Sequence, residues 1–384
     1  MISDKQVNDG VKGGRFMGQD YQQLLDRLVE KTTGELQDGV EVVIKPVPDR
    51  TESGVLDPRV LEVMMQQQQD SSPAAPFSLE AARAGMGWIN TDLTTTDITM
   101  EDIMIPSTEQ PIPARIYRPQ STEPLPAVVY FHGGGFFGGT LDPVEHPCRL
   151  LAERANVVVI SIDYRLAPEH PFPAGLNDCF TAVTWVYEQA EELGINREHL
   201  AVAGDSAGGN LATVCALLDR EQQTEMIQYQ VLLYPVVNLA ALPTDDFEWR
   251  LDAYEMNENR ELLEGIVTAL ADTDGLLNRL YLQGTTDVQD PHVSPLFSDK
   301  LAGLPEALII TAEYDYLRLE GEAYGRKLAR AGVKTKRIQY NGMDHAFIEK
   351  LGQYPQAEDC ITEIANGLQN RFAVMKSDTN TIGG

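Results

Sequence analysis

The chain has 384 residues, 43% of them hydrophobic and 23% charged, the balance of a soluble globular protein with one large α/β domain or two ordinary ones. Its 58 acidic residues against 30 basic ones give a formal charge of −28, which repels nucleic acid and anionic membrane surfaces and excludes both as expected partners. Met1–Gly14 is polar and lacks the apolar core of a signal peptide. Apolar runs such as Val157–Ile162 are too short to span a bilayer. The scattered Cys148, Cys179, Cys215 and Cys360 read as free thiols in a reducing cytoplasm, and no His-x-x-x-His pair signals a metal.

Residues 1–95 read as helices without a sheet. Gln19–Lys31 places Tyr21, Leu24, Leu25 and Leu28 on one helical face. Asp57-Pro58 reads as an N-cap with proline at the first helical position, and Ser78 opens a third helix toward Trp88, after a linker at Asp70–Pro76. From Ile98 the pattern changes. Ile98–Ile105 and Ile112–Tyr117 form an expected antiparallel hairpin. Apolar strands at Ala127–Phe131, Val157–Ile162, Leu200–Ala203, Gln230–Tyr234, Ala307–Thr311 and Lys334–Tyr340 then alternate with helices at Pro143–Ala155, Gly175–Leu193, Gly208–Glu221, Leu319–Ala331 and Gln356–Phe372. That order predicts an α/β fold, a mostly parallel sheet flanked by helices on both faces, spanning 96–376. An acidic helical insertion interrupts it at 243–284, and 377–384 reads as a flexible tail.

Gly204-Asp205-Ser206-Ala207-Gly208 fits G-x-S-x-G between a strand and a helix, the context of a nucleophile elbow. His132-Gly133-Gly134-Gly135 follows another strand and offers backbone N–H groups for the oxyanion of an acyl-transfer reaction. A serine nucleophile needs a base and an orienting carboxylate, in the chain order serine, acid, histidine. His292 and His345 are the histidines after Ser206. His292 precedes the strand that should carry the acid, whereas His345 follows the last strand, so His345 is the expected base. The acid is Glu313 or Asp315.

These motifs, with Asp163–His170, Phe172-Pro173-Ala174 and Asp290–Leu296, resemble the hormone-sensitive-lipase-like carboxylesterase family of the α/β-hydrolase superfamily over about Ile98–Phe372. The resemblance implies an α/β-hydrolase fold with a helical cap made of 1–95 and 243–284. It matches Asp315-Tyr316-Leu317-Arg318 to the family's acid motif and so selects Asp315 over Glu313. It assigns oxyanion donors at Gly134, Gly135 and Ala207, the choice among the three glycines being open. It implies a serine esterase that needs no cofactor or metal and takes a small-molecule ester, and it allows a homodimer. The competing readings are a serine peptidase or amidase and a catalytically silent ligand receptor of the same fold.

Phe136, Phe137, Tyr234, Met343 and Phe347 are candidate pocket residues, equally compatible with core packing. Asp163, Arg165 and Glu169 read as one buried charge network. Between Pro243 and Asp299, thirteen carboxylates face only Arg250, Arg260 and Arg279. They are either a solubilising face or a field that repels anionic esters at the entrance.

Overall fold

The computed structural model describes residues 19–70, 78–88, 90–271 and 273–382. Its N-terminal part holds α1 (Gln19–Glu30), β1 (Thr33–Gln37), β2 (Val40–Lys45), α2 (Pro58–Asp70) and α3 (Leu79–Ala84). Asp57 accepts the Arg59 backbone N–H at 2.9 Å and Ser78 accepts that of Ala81, capping α2 and α3 where the sequence predicts. The expected linker from residue 71 to Pro76 lies outside the described residues. The β1–β2 hairpin corrects the expectation of helices alone. Thr33–Gln37 is exposed along its length, and β2 buries a lysine beside Val40 and Val42, so neither segment shows the alternation that announces a strand.

The remaining elements are β3 (Ile98–Ile105), β4 (Ile112–Pro119), β5 (Leu125–Phe131), α4 (Glu145–Ala155), β6 (Val158–Ile162), α5 (Ala174–Glu188), β7 (Ile195–Asp205), α6 (Ala207–Gln222), β8 (Tyr229–Leu233), α7 (Arg260–Thr268), α8 (Thr273–Leu277), β9 (Glu306–Tyr314), α9 (Arg318–Arg330), β10 (Thr335–Asp344) and α10 (Pro355–Ile382). Each strand and helix expected after Ile98 is present, with shifted ends. Of the tail expected at 377–384, the backbone to Ile382 is helical and continues α10, and the last two residues lie outside the described ones.

The strands form one sheet in the order β1-β2-β10-β9-β8-β7-β5-β6-β4-β3. Pairing is parallel from β2 across to β6 and antiparallel at β1/β2, β4/β6 and β3/β4. Along β5, Ala127, Val129 and Phe131 pack with residues of α5, α6 and α9, while Val128 and Tyr130 pack with α4 and α10. Both faces are covered, which is why the central strands read as continuous apolar runs. The C-terminal ends of β5, β7, β9 and β10 share one edge of the sheet, the place where ligands bind in such folds.

A buried ion cluster ties the hairpin to the C-terminal helix. Lys45 of β2 is 2% exposed and lies 2.9 Å from Asp359 and 2.7 Å from Glu363 of α10. The Tyr340 hydroxyl donates to Asp359 at 2.8 Å. Losing one partner of such a cluster strands the others without compensation. Lys45→Met should therefore lower the unfolding free energy by about 3 kcal/mol or more, read as a fall in the urea midpoint; an unchanged midpoint would show that the hairpin contributes nothing through this contact.

Candidate active site

Strand β7 ends at Asp205, and Ser206 precedes α6 with φ 55° and ψ −116°. A non-glycine residue there stores strain of about 1–3 kcal/mol. The turn is tight on both sides. A β-carbon on Gly208 would lie 1.9 Å from the Phe131 carbonyl oxygen, and one on Gly204 would lie 2.3 Å from the Gly208 oxygen. The Ser206 N–H donates to the Leu233 carbonyl at 2.8 Å, anchoring the turn to β8.

His345 follows β10. Its Nε2 lies 3.0 Å from Ser206 Oγ, and its Nδ1 lies 2.8 Å from Asp315 Oδ2. Asp315 is 1% exposed, and its Oδ1 accepts the Leu317 N–H at 2.9 Å. A carboxylate at Nδ1 places the imidazole proton on that nitrogen, which leaves Nε2 to accept from the serine hydroxyl. Burial alone would lower the histidine pKa, but the charge of Asp315 and its hydrogen bond, then Asp205 and Asp344, outweigh it and hold the imidazole above its ordinary value. The structure thus brings together Ser206, His345 and Asp315. Glu313 turns elsewhere. It accepts the Gly342 N–H at 2.7 Å and holds the histidine loop, while burial, opposed by that bond, raises it to about 7. His292 pairs with Glu221 at 3.0 Å and does not line the cavity at Ser206.

The glycine loop is clamped to the elbow by Asp205. Its Oδ1 accepts the Tyr130 hydroxyl at 2.9 Å and the Gly133 N–H at 3.0 Å. Burial raises the Asp205 carboxyl against these bonds and the nearby His132. With Gly133 engaged, the N–H groups of Gly134 and Gly135 make no hydrogen bond among the described residues. The Gly134 carbonyl accepts from Phe137 and Gly138, closing the loop. Tyr164 stacks on His132 at 4.5 Å and donates to its carbonyl at 2.8 Å.

A cavity of about 310 Å³ opens over these groups. Met86 and Gly87 from the N-terminal part and Leu270 and Leu277 from the insertion form part of its wall. Of the five candidate pocket residues, Phe137 alone lines it. Phe136, Tyr234, Met343 and Phe347 are core residues, at most 1% exposed. Tyr234 still bears on the site through an edge contact to the His345 ring, with centroids 4.9 Å apart. The expected charge network is also corrected. Arg165 pairs with Asp178 at 2.8 Å and with Glu109, the half-exposed Glu169 pairs with Arg83 at 2.6 Å, and Asp163 lies 3.9 Å from His132. These pairs stitch separate segments together, and Arg83 further donates to the Phe137 and Ala167 carbonyls.

Sequence reasoning missed several polar residues of the cavity wall, among them Glu320, Asn238 and Glu349. Glu320 accepts the Val237 N–H at 2.7 Å and the Asn238 N–H at 3.2 Å. Asn238 donates its amide to the Leu242 carbonyl at 2.9 Å. Glu349 lies four residues beyond His345, on the short helix Phe347–Lys350, and its nearness in sequence to His345 was the available signal. Burial raises its carboxyl to about 7, with Asp205 adding to the rise and Lys350 and His345 opposing it.

Comparison with known proteins agrees with this geometry. The family profile described as alpha/beta hydrolase fold matches residues 128–349. An arylesterase of Saccharolobus solfataricus is 35% identical over 247 residues, covering 64% of this chain and 76% of its own. Carboxylesterase NlhH of Mycobacterium tuberculosis is 38% identical over 253 residues, 65% of this chain and 75% of its own. The solved structure of a Pyrobaculum calidifontis esterase superposes with a TM-score of 0.69 at 36% identity, covering 82% of this chain and 98% of that one. The chain therefore belongs to the α/β-hydrolase superfamily, in the hormone-sensitive-lipase-like carboxylesterase family.

Proposed function

We propose that this carboxylic-ester hydrolase acts on short-chain or aryl esters with Ser206 as nucleophile, His345 as base and Asp315 as the orienting acid. The observation that carries the reading is the continuous hydrogen-bond path from Ser206 through His345 to Asp315 at the wall of a cavity. His345 Nε2 takes the hydroxyl proton as Ser206 Oγ attacks the ester carbonyl carbon. The carbonyl oxygen gains the negative charge, and the N–H groups of Gly134, Gly135 and Ala207 receive it. The tetrahedral intermediate collapses, the imidazolium gives its proton to the leaving alkoxide, and the acyl group stays on Ser206. Water then repeats the sequence and releases the carboxylic acid. No step calls for a metal or cofactor.

The unengaged N–H groups of Gly134 and Gly135, beside a Gly133 held by Asp205, support the choice of those two glycines. Met86, Gly87, Leu270 and Leu277 at the cavity wall support a cap built from the N-terminal part and the 243–284 insertion. Four buried, unpaired cysteines support a reducing, cytoplasmic setting. A homodimer is proposed on the family resemblance alone.

Ser206→Ala should reduce kcat by about 10⁴–10⁶ with the fold intact, and His345→Ala should match it within about tenfold, the double variant being hardly worse, because triad members act as a unit. His292→Ala should stay near wild type; more than a tenth of the wild-type rate in purified Ser206→Ala would refute the nucleophile. The pH profile carries a sign. His345 acts when neutral, and its imidazole is held above the ordinary value, so kcat/KM should rise with pH through a midpoint above about 6.5. A limb at or below that value would contradict the Asp315 pairing. The cavity of about 310 Å³ favours short acyl chains. Butyrate esters should be hydrolysed faster than palmitate esters, with no jump at the solubility limit; activation on an emulsion would mark a lipase instead.

A further inference from the structure

We propose that Glu349 sets a charge selectivity in the cavity, favouring esters that carry a positive charge away from the scissile bond and disfavouring those that carry a negative one. The inference rests on the esterase reading and deepens it to a substrate class.

The described wall contains three carboxyl side chains, Asp205, Glu320 and Glu349, and no lysine or arginine. Asp205 is held by Tyr130 and Gly133, and Glu320 by the Val237 and Asn238 N–H groups. The Glu349 N–H donates to the Ala346 carbonyl at 3.1 Å, but its carboxyl makes neither a hydrogen bond nor an ion pair among the described residues. The adjacent Lys350 offsets part of the charge but forms no ion pair with the carboxyl; its Nζ lies over the Trp88 ring, 3.8 Å from the centroid. Glu349 stands on the one-turn helix Phe347–Lys350, which the His345 loop positions. Its backbone is thus held beside the histidine loop, and its side chain lines the cavity at the serine.

Asn238 supplies the second observation. It is 2% exposed and lines the same cavity, and its Oδ1 is buried without a partner while its amide nitrogen is engaged. Apart from the glycine N–H groups at the serine, the wall therefore carries negative charge and an unpaired acceptor with no lysine or arginine to balance them. A carboxylate in so enclosed a place has lost much of its hydration. A ligand cation replaces that loss, and a ligand anion adds repulsion to it. The insertion's own carboxylates are not the source. Leu270 and Leu277 are its described residues in the wall.

The test compares kcat/KM at pH 8.5, above the value of about 7 to which burial raises Glu349. One pair is butyrylcholine and its uncharged isostere 3,3-dimethylbutyl butyrate. The other is p-nitrophenyl pentanoate and mono-p-nitrophenyl glutarate, so that charge is placed in either arm of the ester. Wild type should prefer the cation to its isostere, or the neutral ester to the anion, by about tenfold in at least one pair, as close charge pairs do in partly solvated sites. Glu349→Gln, which keeps the shape, should bring that ratio to within about twofold of unity. Glu261→Gln, an exposed carboxyl of the insertion, should leave it as in wild type. Wild-type ratios near unity in both pairs, or a ratio unmoved by Glu349→Gln, would overturn the inference. Calorimetric titration of wild type with choline and with 3,3-dimethylbutanol needs neither turnover nor a variant. Choline should bind at least about fivefold tighter, and equal affinities would overturn the inference. Loss of activity on every ester would instead sink the esterase reading.

Discussion

The first turn of α6 lies so close to the end of β5 that a β-carbon at Gly208 would meet the Phe131 carbonyl oxygen at 1.9 Å. The rest of the site depends on that approach. It forces the chain through positive φ at Ser206 and lifts the hydroxyl clear of the sheet. It also sets the glycine loop after β5 beside the elbow after β7, because those two strands are parallel neighbours in register, with Phe131 opposite Gly204. Asp205 then fills the seam, accepting Tyr130 from one side and Gly133 from the other. Strain at the serine is tolerated because backbone bonds to Leu233, Asn210 and Val236 hold the turn in place.

Charge in the site follows from the same packing. The carboxyls that build it, Asp205, Asp315 and Asp344, surround His345 and raise its proton affinity against the opposing effect of burial. A raised imidazole is mostly protonated at mildly acidic pH, so fewer molecules hold a competent base there. In the proposed reaction the same carboxyls stabilise the imidazolium that forms as the serine attacks. On that reading the arrangement sacrifices activity at low pH and lowers the barrier where the base is neutral.

Much of this was legible in the sequence because the informative signals were local. G-x-S-x-G after a strand, the glycine tetrad after another, and His345 after the last strand each follow from chain order, while the choice of Asp315 over Glu313 came from the family resemblance. What stayed hidden was set by tertiary contact. The β1–β2 hairpin exists because β10 offers a free edge, and its own residues do not alternate. Phe136, Tyr234, Met343 and Phe347 look like pocket residues by proximity to the motifs, yet the core claims them. Asp163, Arg165 and Glu169 are close in sequence, but each finds its partner on a different segment. Asn238 and Glu320 carry no sequence signal, since their place in the wall depends on the backbone of the loop after β8 donating to the Glu320 carboxylate at the start of α9.

The acidic insertion shows how sequence position and electrostatic effect separate. Its carboxylates dominate the composition of that region, but many sit in water, where salt screens charges within about 10 Å at 0.1 M. Several are also paired locally, Glu264 with Arg260 at 2.8 Å and Asp246 with Arg330. Toward the serine the insertion turns leucines, which exclude water and lower the local dielectric. A few carboxyls inside such walls act more strongly on a ligand than a larger number outside. In the proposed reaction, ester hydrolysis turns a neutral acyl group into a carboxylate within those walls. The field that disfavours an anionic substrate therefore also repels the product, so the same few side chains bear on both entry and release.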